Sequence, residues 1–184
     1  MKAWSEFSNA AASKIKVVFT DIDDPLTTKG RLTHPAFKAL WDLHDAGIQV
    51  VPVTGRPAGW CDHFARMWPV AGIVGENGAF YYRYDEDAKK LRTAYLLNAE
   101  ERATLQKRLA KVQKKILKAV PGAGIASDQA FRIHDLAIDF CEDVPPLSDK
   151  EIHKIVEIFE VEGATAKVSS IHVNGWFGSW DKLS

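Results

Sequence analysis

The sequence predicts an α/β protein: a partial Rossmannoid parallel sheet core carrying a separate α+β cap. Three observations carry this. An apolar run, Ile15-Lys16-Val17-Val18-Phe19-Thr20, ends in Asp21-Ile22-Asp23-Asp24, which reads as a buried strand presenting carboxylates at its carboxyl end. A second apolar run, residues 48–53, ends in Thr54-Gly55-Arg56-Pro57, and the helical pattern between the runs makes a right-handed parallel crossover unit. Beyond Ala79 the pattern shifts to paired strand-like and helical segments, which suits an antiparallel module.

The elements follow in order. Thr33 caps a helix running to about Ala46, with Phe37, Leu40, Trp41 and His44 on one face and Gly47 as its stop. A helical stretch over residues 58–67 precedes a third short strand at 70–74, which enters the turn Gly75-Glu76-Asn77-Gly78. Residues 80–84 and 93–97, separated by charged residues, read as an antiparallel hairpin opening the second unit. Asn98 with Glu101 forms a capping box for a helix striped by Leu105, Leu109, Val112, Ile116 and Val120, which stops at Pro121-Gly122. Residues 136–140 read as a strand, Ser148 with Glu151 caps a helix facing Ile152, Ile155, Val156 and Phe159 inward, and residues 166–173 complete the sheet. The expected division is a core over residues 1–79, a cap over 80–174, and a return to the core over 175–184.

Bulk properties exclude several classes. The 184 residues are 46% hydrophobic, enough to bury a core. Lysine plus arginine equals aspartate plus glutamate at 24 each, so nothing in the global charge points to nucleic acid or an acidic membrane. The basic run Lys107, Arg108, Lys111, Lys114, Lys115 and Lys118 reads as a solvated helix face, and Trp176, Phe177 and Trp180 read as packing. Cys61 and Cys141 have no metal-ligand spacing and fit reduced thiols. Without a signal-peptide core or a run of ~20 apolar residues, a cytoplasmic location and no membrane partner are expected. Signatures of a P-loop, a dinucleotide fold, a serine elbow or a zinc site are missing from the sequence.

Chemistry concentrates at the strand ends. A turn after the first strand lets Asp21 and Asp23 address one centre, and a hydroxyl with a tight glycine turn at Thr54-Gly55 suits a phosphate oxygen. Thr-Asp-Ile-Asp-Asp, then Val-Thr-Gly-Arg-Pro, then Gly-Glu-Asn-Gly-Ala together resemble the haloacid dehalogenase superfamily, in its large-cap sugar-phosphatase branch. The resemblance implies a Mg²⁺-dependent phosphatase for a sugar phosphate or similar small metabolite. Asp21 would be the nucleophile and form an aspartyl-phosphate, Asp23 the general acid and base, and Lys182 the third-motif lysine steadying Asp21 and the phosphoryl group. Asp21 and Asp23 would hold Mg²⁺, and Thr54, Gly55, Arg56 and Asn77 would contact substrate. On residues alone, Arg56 reads equally as a surface ion pair and Asn77 as turn chemistry.

Two departures qualify the resemblance. Pro25 stands where the family has Thr; it removes a hydroxyl and an N–H and is expected to hold Asp24 in extended backbone. A reacting group displaced by 1 Å costs roughly 10²-fold in rate, so reduced activity is expected. The chain also stops before the family's fourth motif and remaining core strands. This leaves the first strand's edge bare and predicts a homo-oligomer through it. Two alternatives stay open: a catalytically inactive interaction or dimerisation module, and a phosphomutase.

Overall fold

Local capping and apolar spacing determine most of the elements. The computed structural model describes residues 6–182, so residues 1–5 and 183–184 of the segments assigned to the core lie outside the described residues. A one-turn helix α1 (Asn9–Ala12), capped by the Ser8 side chain, precedes β1 (Val17–Thr20). The loop after β1 closes a small hairpin of β2 (Thr27–Thr28) and β3 (Arg31–Leu32), turning through Lys29 and Gly30 at φ 50° and 72°. Helix α2 (His34–Asp45) begins after Thr33, whose extended backbone makes the cap without a side-chain bond. Leu40 alone of the four expected inward residues is fully buried. Trp41 is 44% exposed, so the stripe is narrower than its sequence spacing suggests.

Strand β4 (Gln49–Pro52) lies parallel to β1 with Val18 opposite Val50, as the crossover expectation requires. Helix α3 (Ala58–Met67) then leads to β5 (Ile73–Gly75), and a parallel bridge between Val53 and Val74 joins β5 to the first pair. The hairpin of β6 (Phe80–Asp85) and β7 (Lys90–Tyr95) forms as expected but docks elsewhere. Its first strand pairs antiparallel with β5, so the hairpin extends the core sheet instead of opening the cap sheet. Tyr82 and Phe80 are buried against Cys61, Phe64 and Ile73 of the core, and this burial decides the docking. Burial also pushes the Cys61 thiol far above its ordinary range, as expected of a packed cysteine.

The cap is a four-stranded antiparallel sheet under two helices. Helix α4 (Ala99–Ala119) has the expected Asn98/Glu101 capping box and buries Leu109, Val112 and Ile116. Then come β8 (Gly124–Ile125), β9 (Asp135–Asp139), α5 (Asp149–Val161) with its Ser148/Glu151 capping box, β10 (Thr165–Val168) and β11 (His172–Trp176). The sheet order is β10-β11-β9-β8. The single strand expected over 166–173 is instead two strands. They turn at Ser169, whose Oγ accepts from the His172 N–H (3.0 Å). Trp176 and Trp180 return to the core cluster, with Trp176 Nε1 donating to the Trp180 carbonyl. The basic residues of α4 from Lys107 to Lys118 are exposed, while Arg102 at its start stacks on the Tyr95 ring.

Candidate active site

The crossover geometry brings the two motif loops side by side. The Val53 N–H donates to the Thr20 carbonyl (2.8 Å), so Asp21 and Thr54 leave neighbouring parallel strands at the same end, where the expected strand spacing is about 4.8 Å. Asp21 Oδ1 accepts from the Ile22 N–H (2.8 Å), and Asp21 Oδ2 accepts from Lys182 Nζ. Lys182 comes from the far end of the chain. It reaches the site because Gly78, at φ 114°, lets the Asp181 carbonyl lie where any side chain would collide with it.

Asp23 is held by Arg56. The guanidinium donates from Nη2 to Oδ1 (2.6 Å) and from Nε to Oδ2 (3.2 Å), and it stacks over the Trp60 ring at 4.8 Å. Thr54 is completely buried beneath the loop. Its Oγ1 accepts from the Arg56 N–H (3.1 Å), and its own N–H donates to the Val74 carbonyl. Gly55 packs on Asn77, where a Cβ would lie 3.1 Å from Asn77 Oδ1, and Asn77 itself turns at φ 59°. Asp21, Asp23, Gly55, Arg56, Asn77 and Lys182 all line one cleft of about 360 Å³. Thr54 lies under it.

Asp24 corrects an expectation: its φ is 73°, not extended. Asp is among the residues that tolerate this region, and the left-handed turn forms here against the extended bias that Pro25 imposes. The Asp24 N–H finds a hydroxyl acceptor in Thr27 Oγ1 (3.2 Å), two residues beyond Pro25.

Several site residues carry no sequence signal. Lys167, Ser169, Ser170, His172 and Asn174 of the cap form the opposite wall of the cleft. Arg132, almost fully buried, donates to the Gly55 carbonyl (3.2 Å) and pairs with Asp128 and Asp135. Burial drives the Asp135 carboxyl upward against the opposing pull of Arg132, to about 7. Glu76, also fully buried, accepts from the backbone N–H groups of Ala58, Ile133 and His134 and so ties the core to the cap linker.

The chain matches the model of the haloacid dehalogenase-like hydrolase family over residues 18–120, more than half its length. It belongs to that family. A phosphoglycolate phosphatase of Methanoculleus marisnigri is 35% identical over 71 residues, which span 38% of this chain but only 30% of that relative. Among solved structures, a Thermoplasma acidophilum protein is similar with TM-score 0.67 at 15% identity, covering 91% of this chain and 67% of that one. A haloacid dehalogenase-like hydrolase from Bacteroides thetaiotaomicron gives TM-score 0.61 at 14% identity over 92% and 73% of the two chains. These likenesses share the fold with this haloacid dehalogenase-like hydrolase.

Two carboxylates on one loop match what Mg²⁺ takes from a protein when substrate phosphate and water supply the rest. Arg56 uses two of the roughly four acceptor positions on the Asp23 carboxylate, so ligand capacity remains. Among the described residues no group of three or more His, Cys, Asp or Glu converges on one point. No helix among them is long and apolar enough to cross a membrane.

Proposed function

We propose that the chain is a Mg²⁺-dependent phosphomonoester hydrolase acting on a sugar phosphate or similar small metabolite through an aspartyl-phosphate on Asp21. The observation that supports this most is the meeting of Asp21, Asp23, Arg56 and Lys182 on one cleft wall, two carboxylates beside two cations. Such a wall binds a phosphate dianion while keeping an anionic nucleophile beside it.

Each residue has a definite task. Lys182 and the Ile22 N–H fix the Asp21 carboxylate by its two oxygens. A carboxylate oxygen then forms a bond to phosphorus as the ester P–O bond breaks. Asp23 gives its proton to the departing alkoxide, then takes one from the water that attacks the aspartyl-phosphate and releases inorganic phosphate. Thr54, buried under the cleft, accepts the Arg56 N–H at Oγ1 and so braces the loop on which the phosphoryl group rests. Arg56, anchored on Trp60, orients Asp23 and faces the developing charge. The Asp21 carboxylate and the Asp23 backbone carbonyl would hold Mg²⁺, which would supply the charge neutralisation that lets the two anions approach. The cap wall covers one side of the site. The two free thiols suit a reducing compartment, the cytoplasm.

The test is Mg²⁺-dependent turnover of p-nitrophenyl phosphate. Asp21→Asn is expected to abolish it, and turnover that survives the change refutes the nucleophile assignment.

A further inference from the structure

Alternation along the cap strands sorts their side chains into two faces. Leu136, Ile138 and Val173 join the cluster with α4 and α5, so Asp135, Ala137, Asp139, His172, Asn174 and Trp176 face the other way. Trp176 belongs to the core cluster, which identifies this second face as the one turned toward the core. Asn174 stands in register between Lys167 and Ala137. This row forms a roof over the cleft that Asp21, Asp23 and Arg56 floor.

Most polar groups on the roof already have partners. Asp135 holds Arg132 and Asp139 accepts three backbone N–H groups, while His172 Nε2 lies at ion-pair distance, 2.9 Å, from Glu142 without a hydrogen bond between them. Asn174 differs. It is 8% exposed, and its Oδ1 has no hydrogen-bond partner among the described residues. On the core side of the same cleft, Asn77 is 4% exposed and its Nδ2 is likewise without a partner. Buried amide atoms without partners are unfavourable and rare. One acceptor and one donor on opposing walls of a single cleft make a pattern that a ligand completes.

We infer that Asn174 is the specificity-determining residue of the cleft, accepting a hydrogen bond from a hydroxyl on the leaving group of a short polyol phosphate. Asn77 donates to an oxygen of the same ligand. The inference rests on the phosphomonoesterase reading and deepens it. A volume near 360 Å³ has room for a phosphate ester of three or four carbons together with the hydroxyls it carries.

Calorimetric titration with glycerol 3-phosphate, n-propyl phosphate and orthophosphate tests this. The two esters share a carbon skeleton and charge and differ only in hydroxyls. The wild type is expected to bind glycerol 3-phosphate at least about tenfold more tightly than propyl phosphate, since a site built for a hydroxyl rejects the analogue lacking it. Asn174→Leu should bring the two within about twofold with orthophosphate binding unchanged, while Asn174→Asp, which keeps an oxygen acceptor, should retain the preference. Orthophosphate binding without any ester preference in the wild type, or a preference that survives Asn174→Leu, overturns the inference alone. Loss of all three ligands from the wild type overturns it together with the phosphomonoesterase reading.

Discussion

Glu76→Ala is expected to be among the most damaging single changes to this fold. The carboxylate is fully buried and accepts from Ala58 N–H (3.0 Å), Ile133 N–H (3.0 Å) and His134 N–H (2.5 Å). Ala58 opens α3, whose N-cap is Pro57 with no side-chain bond, so Glu76 serves as a distant cap for that helix. Alanine would strand three buried donors at about 1–3 kcal/mol each. Loss of negative charge at a helix N-terminus adds about 0.3–1 kcal/mol. Water entering the vacated space offsets part of this, and relief from burying a charge offsets more, giving an expected loss of about 3–5 kcal/mol from a total of order 5–15. Glu76→Gln, which keeps one oxygen acceptor, should lose less. Urea unfolding followed by tryptophan fluorescence reads both, since Trp176 and Trp180 are buried beside this linkage. A loss under about 1 kcal/mol with an unchanged m value would refute the claim that these three N–H groups depend on Glu76.

Four further outcomes are expected. Thr27→Val removes the acceptor of the Asp24 N–H and should cost about 1–2 kcal/mol and lower kcat more than it raises KM; an unchanged kcat would show that the loop holds its register without that bond. Pro25→Thr should speed an enzyme and leave an inactive module indifferent, which steady-state kinetics decides. For Asp139, burial alone would raise the carboxyl, but the N–H groups of Cys141, Glu142 and Asp143 and the nearby His172 outweigh it and hold the group below its ordinary value. Its stabilisation is therefore complete above about pH 4, the unfolded value, and lost as pH falls through the lower folded value. Asp139→Asn should flatten the acid limb of a stability–pH profile measured by urea unfolding, and an identical limb counts against this. Finally, β1 pairs only with β4 among the described residues, and Phe19 on it is 69% exposed. Sedimentation at micromolar concentration should show self-association that Phe19→Lys weakens, and a wild-type monomer would contradict it.

What could be read from the chain beforehand was whatever depends on near neighbours. The Asn98/Glu101 and Ser148/Glu151 boxes, the Leu109 to Val120 stripe and the limits of α3 are local signals, and the structure keeps them. Pairing partners are not local. Nothing in Phe80-Tyr81-Tyr82 says that its strand should choose β5 over the cap sheet, and the Ser169 turn that splits β10 from β11 shows only as two small polar residues. The cleft divides along the same line. Asp21, Asp23, Gly55, Arg56, Asn77 and Lys182 were legible because strand ends and motif order mark them. Glu76, Arg132 and Asn174 were not, because their roles come from burial and from register with residues far along the chain.

The most direct measurement of the central claim is mass spectrometry of the acid-quenched Asp23→Asn variant after mixing with Mg²⁺ and p-nitrophenyl phosphate, whose stabilised leaving group departs without a proton from position 23. With the proton donor and base removed, breakdown of the intermediate should slow by about 10²–10⁴-fold, and a phosphoryl group should accumulate on the peptide containing Asp21. A phosphoryl group on a different residue, or turnover at the wild-type rate with none on Asp21, would contradict the account.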